Sequence, residues 1–317
     1  MSPLRLLPLL ILAACEETTT PSVTVEAPKA EVVQIVAADP VLVEPRSYTI
    51  KNGNVTITAD PGWGGAIVSL TYMGLETVNN DDHGRQIQSA MSFDDWGECY
   101  NPTEAGSRDD VSGSSSLVQY MNNMNNVLST STDAAFWLPP GTYYGHQCGT
   151  KIPQEMTAQN ETRTDGYMID KVVSFDSIPN AIKFKLTYKV PHFHEKGTFE
   201  FTGYHTEDFQ YFYTYDPKTR TTKDLLADEW INVGEQPLPI IMSNNLTTIG
   251  VYSPPDGLGG PGFGRWKFFW SKTSKWNIVW RERKIPAGTE IKRTAYMCVG
   301  SRDSVRQCLD ALYSKGE

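Results

Sequence analysis

An unbroken alternation of apolar and polar residues over Ala181–Val190 constrains the fold of this chain more than any other feature. In AIKFKLTYKV every second residue from Ile182 onward is apolar, and lysine or threonine stands between. Successive side chains of a β-strand point to opposite faces, so the pattern predicts an antiparallel strand with one buried face. GTFEFTGY, DFQYFYTYD, GAIVSLTYMG and the segment from Lys275 to Gly300 predict further strands, and Asn52-Gly53 predicts a hairpin turn.

Helical spacing is convincing in one segment, SRDSVRQCLDALYSKG near the C-terminus. Apolar residues recur there every three or four positions, Asp303 lies in the first turn, and Gly316 can end the helix. Strands and helices do not alternate along the chain, so a parallel doubly wound sheet is not expected. We predict an all-β fold over residues 47–317, a large antiparallel β-sandwich with long loops and a C-terminal helix.

The first 46 residues have a different composition. Residues 1–15, MSPLRLLPLLILAAC, join a basic residue to an apolar run that is too short to cross a bilayer, as in an export signal. Residues 16–46 are rich in Thr, Pro, Val, Ala and Glu and lack aromatic residues, which predicts a disordered tether.

The sequence LAAC that ends at Cys15 resembles the lipobox of bacterial lipoproteins. This resemblance implies that Cys15 is lipidated and anchors the protein in a lipid bilayer of the bacterial cell envelope. Glu16, in place of the aspartate associated with inner-membrane retention, implies the outer membrane. An ordinary cleaved secretory signal is the alternative.

Four further cysteines remain after Cys15, namely Cys99, Cys148, Cys298 and Cys308. An even number in an exported chain indicates two disulfides, with three possible connectivities. We expect Cys99–Cys148 and Cys298–Cys308, the second of which would close a short strand-to-helix connection. The sequence has no CxxC pair for zinc, and we expect no metal or cofactor.

The formal charge of −9 argues against nucleic acid and anionic membrane surfaces as partners. It also weakens the case for a strongly anionic polysaccharide. The interval from Asp94 to Pro153 has weak strand signals, so we expect one long irregular segment, and such segments are usually functional or disordered. Its many aromatic residues argue against disorder and predict a binding site.

The stretch NVTITADPGWGGAIVSLTYMGLETVNNDDHGRQIQ resembles the opening of galactose-mutarotase-like domains. The matching residues are Gly64, Gly65, Ile67, Ser69, Leu70, Gly74, Glu76, Gly84 and Arg85. The resemblance implies a β-supersandwich of the kind found in aldose epimerases, polysaccharide lyases and glycoside hydrolase domains. The catalytic His and Glu of the epimerases have no matching motif here.

Glycoside hydrolysis is the leading functional hypothesis, with an oligosaccharide or polysaccharide as partner. Two carboxyl groups must flank the scissile bond. Glu104 is the first choice, because Pro102 and Gly106 anchor its turn, and Asp95 is the second carboxylate. Asp94, Asp228, Glu229 and Glu235 are further options for the second carboxylate.

Two alternatives stay open. A polysaccharide lyase needs a Tyr or His base and a cation for the uronate carboxylate, and the residues that fit are Arg85, Tyr100, His83 and His146. A non-catalytic glycan-binding lipoprotein needs only aromatic platforms and amides. The candidates for substrate binding under every hypothesis are Trp96, Asn101, Trp137 and Tyr144.

Overall fold

A computed structural model describes residues 48–81, 83–145, 148–149, 156–225, 235–255, 260–268 and 272–316. These residues form 18 β-strands and one α-helix. The strands are β1 (Tyr48–Asn52), β2 (Val55–Ala59), β3 (Ile67–Tyr72), β4 (Leu75–Glu76), β5 (Gln88–Phe93), β6 (Pro102–Thr103), β7 (Leu117–Met124), β8 (Val127–Phe136) and β9 (Thr164–Phe175). They continue with β10 (Ala181–Val190), β11 (His194–Thr206), β12 (Tyr211–Asp216), β13 (Thr221–Leu225), β14 (Ile240–Ser243), β15 (Thr248–Tyr252), β16 (Gly262–Phe268), β17 (Thr273–Ile285) and β18 (Thr289–Gly300). The helix α1 spans Arg302–Lys315.

The predicted all-β fold with a C-terminal helix is confirmed, and the alternation that predicted β10 appears as alternating burial along that strand. The signal peptide, Cys15 and the tether lie outside the described residues and stay predictions. In the part of the chain that the structure describes, no helix is long and apolar enough to cross a membrane.

The strands form a small sheet and a large one, and all their pairings are antiparallel. The small sheet has the order β1-β2-β3-β4. The large sheet has the order β13-β12-β14-β15-β18-β10-β9-β8-β6-β5-β11-β17-β16, and β7 joins it through β8.

The large sheet folds back on itself to form the sandwich. The strands β10 and β11 are far apart in the sheet order, yet their aromatic side chains meet across the core. The ring centroids of Phe184 and Phe201 are 4.6 Å apart, and those of Tyr188 and Phe199 are 5.2 Å apart. These contacts place the two halves of the sheet face to face, in the manner of a β-sandwich.

The expectation of one irregular segment from Asp94 to Pro153 is wrong, because the hairpin of β7 and β8 lies within it. Asn125 and Asn126 both have positive φ values, 53° and 60°, at the turn between the two strands. Asparagine tolerates this conformation better than most residues, which suits a two-residue hairpin turn. The buried residues of β8 include Thr130 and Thr132. Because these two residues are polar, the sequence of β8 does not show the apolar–polar alternation that predicts a strand.

Both preferred disulfides, Cys99–Cys148 and Cys298–Cys308, are confirmed. The second joins β18 to α1, whose buried residues pack with Tyr296 and Ile241 in one apolar cluster. Ser301 caps the helix by accepting a hydrogen bond from the backbone N–H of Ser304.

The two faces of β5 and β11 have different environments, and this difference positions the site. On the inner face Met91, Phe93, Phe199 and Phe201 belong to the main core. The side chains between them point to the opposite face of the sheet. That opposite face lines a cleft.

Candidate functional site

A cleft of about 840 Å³ lies on the outer face of the strands β5, β6, β11, β17 and β16. Its floor consists of strand residues, namely Gln88, Ala90, Ser92, Thr103, Glu200, Thr202, Tyr204 and Lys275. Its walls are Gly84, Arg85, Gly97, Glu98, Asn101, Trp137, Tyr144, Trp266 and Phe268. The volume is in the upper part of the usual range for ligand sites.

Antiparallel register brings the floor residues together from distant parts of the sequence. Glu200 of β11 pairs with Ala90 of β5, and Tyr204 pairs with Lys275 of β17. The small side chains of Ala90, Ser92 and other floor residues leave space above the sheet. The cleft therefore depends on strand pairing and cannot be read from any one segment.

One wall of the cleft, together with the adjoining floor residues Tyr204 and Lys275, combines cations with aromatic rings. The Nζ atom of Lys275 is 5.0 Å from the ring centroid of Tyr204 and 4.9 Å from that of Trp266. The guanidinium carbon of Arg85 is 5.3 Å from the Tyr204 centroid and 5.5 Å from that of Phe268. These distances are typical of cation–π contacts.

The charge of Lys275 is supported from within the cleft. Burial by itself lowers the pKa of this ammonium group, but the neighbouring Tyr204 and Glu200 outweigh burial and raise the pKa overall. Glu98 adds a smaller effect in the same direction. Lys275 is therefore a cation at neutral pH, with two glutamates near enough to stabilise its charge.

A second wall of the cleft carries Glu98 and Tyr144. Burial, followed by the charge of Glu98 and a hydrogen bond with it, raises the pKa of Tyr144 to about 12. The Cys99–Cys148 disulfide links the segment of Glu98 to the loop of Tyr144, and both cysteines are buried in a small apolar cluster beneath them. The disulfide therefore fixes the two sides of this wall to each other.

Four of the predicted site residues line the cleft, namely Arg85, Asn101, Trp137 and Tyr144. Asn101 donates a hydrogen bond from its side-chain amide to the carbonyl of Met91, which fixes its orientation. Gly84 makes room for the Trp137 ring, because a Cβ atom at Gly84 would lie 2.7 Å from that ring.

Glu104, the first choice for a catalytic carboxylate, lies in the interior and does not line the cleft. Its side chain is fully buried, and Lys171 Nζ donates to its Oε1 at 2.5 Å. Its Oε2 accepts from the backbone N–H of Ser89 at 2.9 Å. Burial raises the pKa of Glu104, and attraction to Lys171 only partly opposes this. A glycan in solution has no path to this carboxylate, so we assign Glu104 a structural role.

The Gly-Gly turn of the mutarotase-like motif supports this buried pair. A Cβ atom at Gly64 would lie 1.9 Å from the carbonyl oxygen of Glu104, and Gly64 has a φ of +65°. The carbonyl of Gly65 accepts a hydrogen bond from Lys171 Nζ at 3.0 Å. The Gly-Gly turn thus packs against Glu104, and Glu104 follows the cleft residue Thr103 in the sequence.

Asp95 and His83 also lie outside the cleft lining. Asp95 is exposed and forms an ion pair with Lys196. His83 is buried, stacks on Trp63 with the centroids 4.3 Å apart, and contacts the carbonyl of Ala105 at 2.7 Å. The sequence predicted catalytic roles for both side chains, but in the structure each of them contacts residues of the fold outside the cleft lining.

Tyr100 points into the core, where its hydroxyl is 3.0 Å from that of Tyr167. Tyr167 in turn hydrogen-bonds to His194 at 2.7 Å. Trp96 packs against the buried Cys99–Cys148 cluster. His146 lies outside the described residues, so its proposed role stays a prediction.

Sequence reasoning missed several cleft residues, namely Glu98, Glu200, Tyr204, Trp266, Phe268 and Lys275. The signal for Glu200 is its position between Phe199 and Phe201, which places it on the face opposite the core. Within the described residues, no group of three or more His, Cys, Asp or Glu could hold a metal ion.

No family model and no curated protein matches this sequence, but solved structures match its fold. An α-mannosidase from Enterococcus faecalis V583 superposes with a TM-score of 0.51 and 9% identity, over 84% of this chain and 32% of the mannosidase. A galactose mutarotase related enzyme from Lactobacillus acidophilus gives a TM-score of 0.42 and 12% identity, over 81% of this chain and 98% of the enzyme.

A 4-alpha-glucanotransferase from Thermococcus litoralis gives a TM-score of 0.39 and 9% identity, over 81% of this chain and 38% of the glucanotransferase. This chain therefore spans only about a third of the mannosidase and the glucanotransferase. Such low identities show a shared fold and leave activity undetermined. The predicted all-β sandwich is confirmed, and the mannosidase shares its fold.

Proposed function

We propose that this domain binds an oligosaccharide or polysaccharide in the cleft and hydrolyses a glycosidic bond between Glu98 and Glu200. The observation that carries the proposal is the composition of the cleft, which brings two carboxylates, aromatic rings and amide side chains into one space. The fold shared with a mannosidase is consistent with this proposal but does not distinguish hydrolysis from other activities.

The cleft suits the surface chemistry of a sugar. Sugar rings have apolar faces that pack on aromatic side chains, and Trp137 and Tyr144 line one wall. Their hydroxyl edges need hydrogen-bond partners, which Gln88, Asn101 and Thr202 offer.

Hydrolysis requires one carboxyl group that protonates the leaving oxygen and another that acts as base or nucleophile. Glu200 lies on the rigid floor, in a strand paired on both sides, beside the charged Lys275. Glu98 lies on the wall beside Tyr144, on a segment held by the disulfide. The bond to be cleaved would lie between the floor and this wall.

The test is a set of purified variants assayed against a glycan panel for new reducing ends. We expect Glu200→Gln and Glu98→Gln each to lower turnover by about 10²- to 10⁴-fold, the usual contribution of general acid–base catalysis, with affinity largely kept. Glu195→Gln is the control, because Glu195 is exposed on the same strand outside the cleft lining. Unchanged turnover in both cleft variants would falsify the catalytic assignment.

The lyase alternative keeps Arg85 in the cleft, but two of its predicted bases, Tyr100 and His83, do not line the cleft. Tyr144 does line it, yet a general base needs a pKa near the working pH, and that of Tyr144 is raised to about 12, so its hydroxyl stays protonated. Ultraviolet absorbance from unsaturated uronates in the same assay would indicate a lyase. Binding without new reducing ends would indicate a non-catalytic glycan-binding protein.

We further propose that the protein is anchored at Cys15 in the bacterial cell envelope, in the outer membrane. The LAAC sequence that ends at Cys15 supports this proposal. Metabolic labelling with a palmitate analogue should mark the wild type and not Cys15→Ser. Equal labelling of the two proteins would contradict the anchor.

A further inference from the structure

The cation-bearing wall of the cleft suggests a substrate class, and the inference rests on the proposed function. We propose that the cleft selects glycans that carry an anionic substituent, a uronic acid carboxylate or a sulfate ester, and binds that group with Arg85 and Lys275. Both cations line the cleft, and both lie within about 5 Å of the Tyr204 ring centroid.

The position of Arg85 suits recognition of an oxyanion. Its guanidinium group lies near Tyr204 and Phe268, whose rings stack at an interplanar angle of 19°. Contact with ring faces restrains the guanidinium plane while the N–H donors stay in that plane. This fork of donors matches the two oxygens of a carboxylate or a sulfate.

Lys275 gives a second positive charge at the same ring. It projects from β17 directly opposite Tyr204 in the strand register, between the rings of Tyr204 and Trp266. Glu200 and Glu98 offset part of this charge, and a bound anion would further reduce the repulsion between the two cations. Glu98 lies by Tyr144, and Arg85 and Lys275 lie by Tyr204, so the cleft contains both acidic and cationic groups.

A neutral glycan accounts less well for this wall. Sugar rings stack on exposed aromatic faces, and the cations near Tyr204 and Phe268 compete for those faces. The net charge of −9 repels anions at a distance. At physiological ionic strength that repulsion is screened over roughly 8 Å, so the charges at the contact determine binding.

The experiment compares polymers that share a backbone and differ in charge. One pair is homogalacturonan with free carboxylates and the same polymer fully methyl-esterified. The other pair is agarose with and without sulfate esters. We expect one anionic polymer to bind the full-length protein at least about tenfold more tightly than its neutral match, as for a hydrogen bond to a charged group. The pair that shows the preference identifies the anion as a carboxylate or a sulfate.

Variants then assign the preference to the two cations. Arg85→Gln and Lys275→Met should each lower the ratio of anionic to neutral affinity by up to about tenfold, toward one. Arg85→Lys should restore part of the ratio, because it retains the charge but not the fork. Arg108→Gln is the matched control, since Arg108 lies 4.9 Å from the Tyr144 ring but does not line the cleft.

A general loss of fold would weaken binding of both members of a pair and leave their ratio unchanged. Equal binding of both members by the wild type would overturn this inference and leave the proposed function standing. A preference that persists in both cleft variants would also overturn it. Failure of all four polymers to bind would overturn this inference, and the proposed function would be contradicted only if the glycan panel also showed neither binding nor new reducing ends.

Discussion

Two glutamates lie beside lysines in this domain, and their surroundings give them different roles. Glu104 and Lys171 are completely buried and hydrogen-bonded to each other. Glu200 and Lys275 line an open cleft and interact through their charges. The same two residue types therefore stabilise the fold in one region and face a ligand in the other, and exposure decides between the roles.

The buried pair is sensitive to the loss of either partner. Removing charges from water is costly, and mutual attraction offsets that cost only while both partners are present. In the cleft, solvent replaces a lost partner, so the same substitution should affect chemistry and leave the fold intact. The predictions below test this difference, from the largest expected effect to the smallest.

The first prediction concerns Glu104→Gln. It should lower the free energy of unfolding by about 3–5 kcal/mol, because the Lys171 ammonium is then buried without its carboxylate. Urea denaturation measures this change, and Glu200→Gln is the matched variant in the cleft. The double variant Glu104→Gln/Lys171→Met should recover most of the loss. If Glu104→Gln and Glu200→Gln destabilise equally, the contrast between the two regions is wrong.

The second prediction compares the two disulfides. Replacing Cys99 and Cys148 by serine should cost about 4 kcal/mol, because the closed loop is long. The corresponding change at Cys298 and Cys308 should cost about 3 kcal/mol, since that loop is shorter. Their sequence separations are 49 and 10. Only the first change should also weaken glycan binding, and equal effects on binding would contradict the role of Cys99–Cys148 in the cleft wall.

The third prediction is a pH dependence from His205. Burial lowers its pKa from 6.5 to about 4, and its Nε2 accepts a hydrogen bond from Trp276 at 2.8 Å. Because the folded pKa is depressed, this contribution to stability is present above pH 6.5 and is lost as the pH falls toward 4. The loss should amount to about 3 kcal/mol.

Denaturation of wild type and His205→Gln across this pH range isolates the effect. The raised pKa of Glu104 acts with the opposite sign, since its contribution is lost as the pH rises above 4.5. Glu104 is present in both proteins, so the difference between the curves reports His205. Parallel curves would show that His205 does not titrate as expected.

The fourth prediction concerns two tryptophans. Trp137→Ala should weaken glycan binding about tenfold, or roughly 1.4 kcal/mol, because it removes an aromatic face from the cleft wall. Trp96→Ala should leave the affinity of the folded protein unchanged, because Trp96 packs on the buried cluster around Cys99. Isothermal titration with the preferred polymer measures both, and a larger effect from Trp96 would reverse the assignment.

The sequence predicted the fold better than the site. Alternation along β10 was sufficient to predict the strand, and the even number of cysteines predicted two disulfides but left three possible connectivities. Thr103 lines the cleft, whereas the next residue, Glu104, follows β6 and turns into the interior, where Lys171 and Ser89 bind its carboxylate. The strand β6 has only two residues and so gives no alternation from which this orientation could be predicted.

The position of Glu200 shows a second limit. Its neighbours Phe199 and Phe201 predict that it points away from the core. They do not predict what lies on that side, which depends on β5 and β17, strands far away in the sequence. Long-range pairing decides whether an outward residue faces open solvent or a cleft.

The Cys99–Cys148 bond also fixes when the cleft is completed. A newly made chain with free thiols would carry Glu98 and Tyr144 on two segments without a covalent link. The covalent link between these segments forms only after oxidation, and thiols stay reduced in most cytosols. Glycan binding would then reach its full strength only in an oxidising compartment, and the nascent chain would bind sugars less tightly at its place of synthesis.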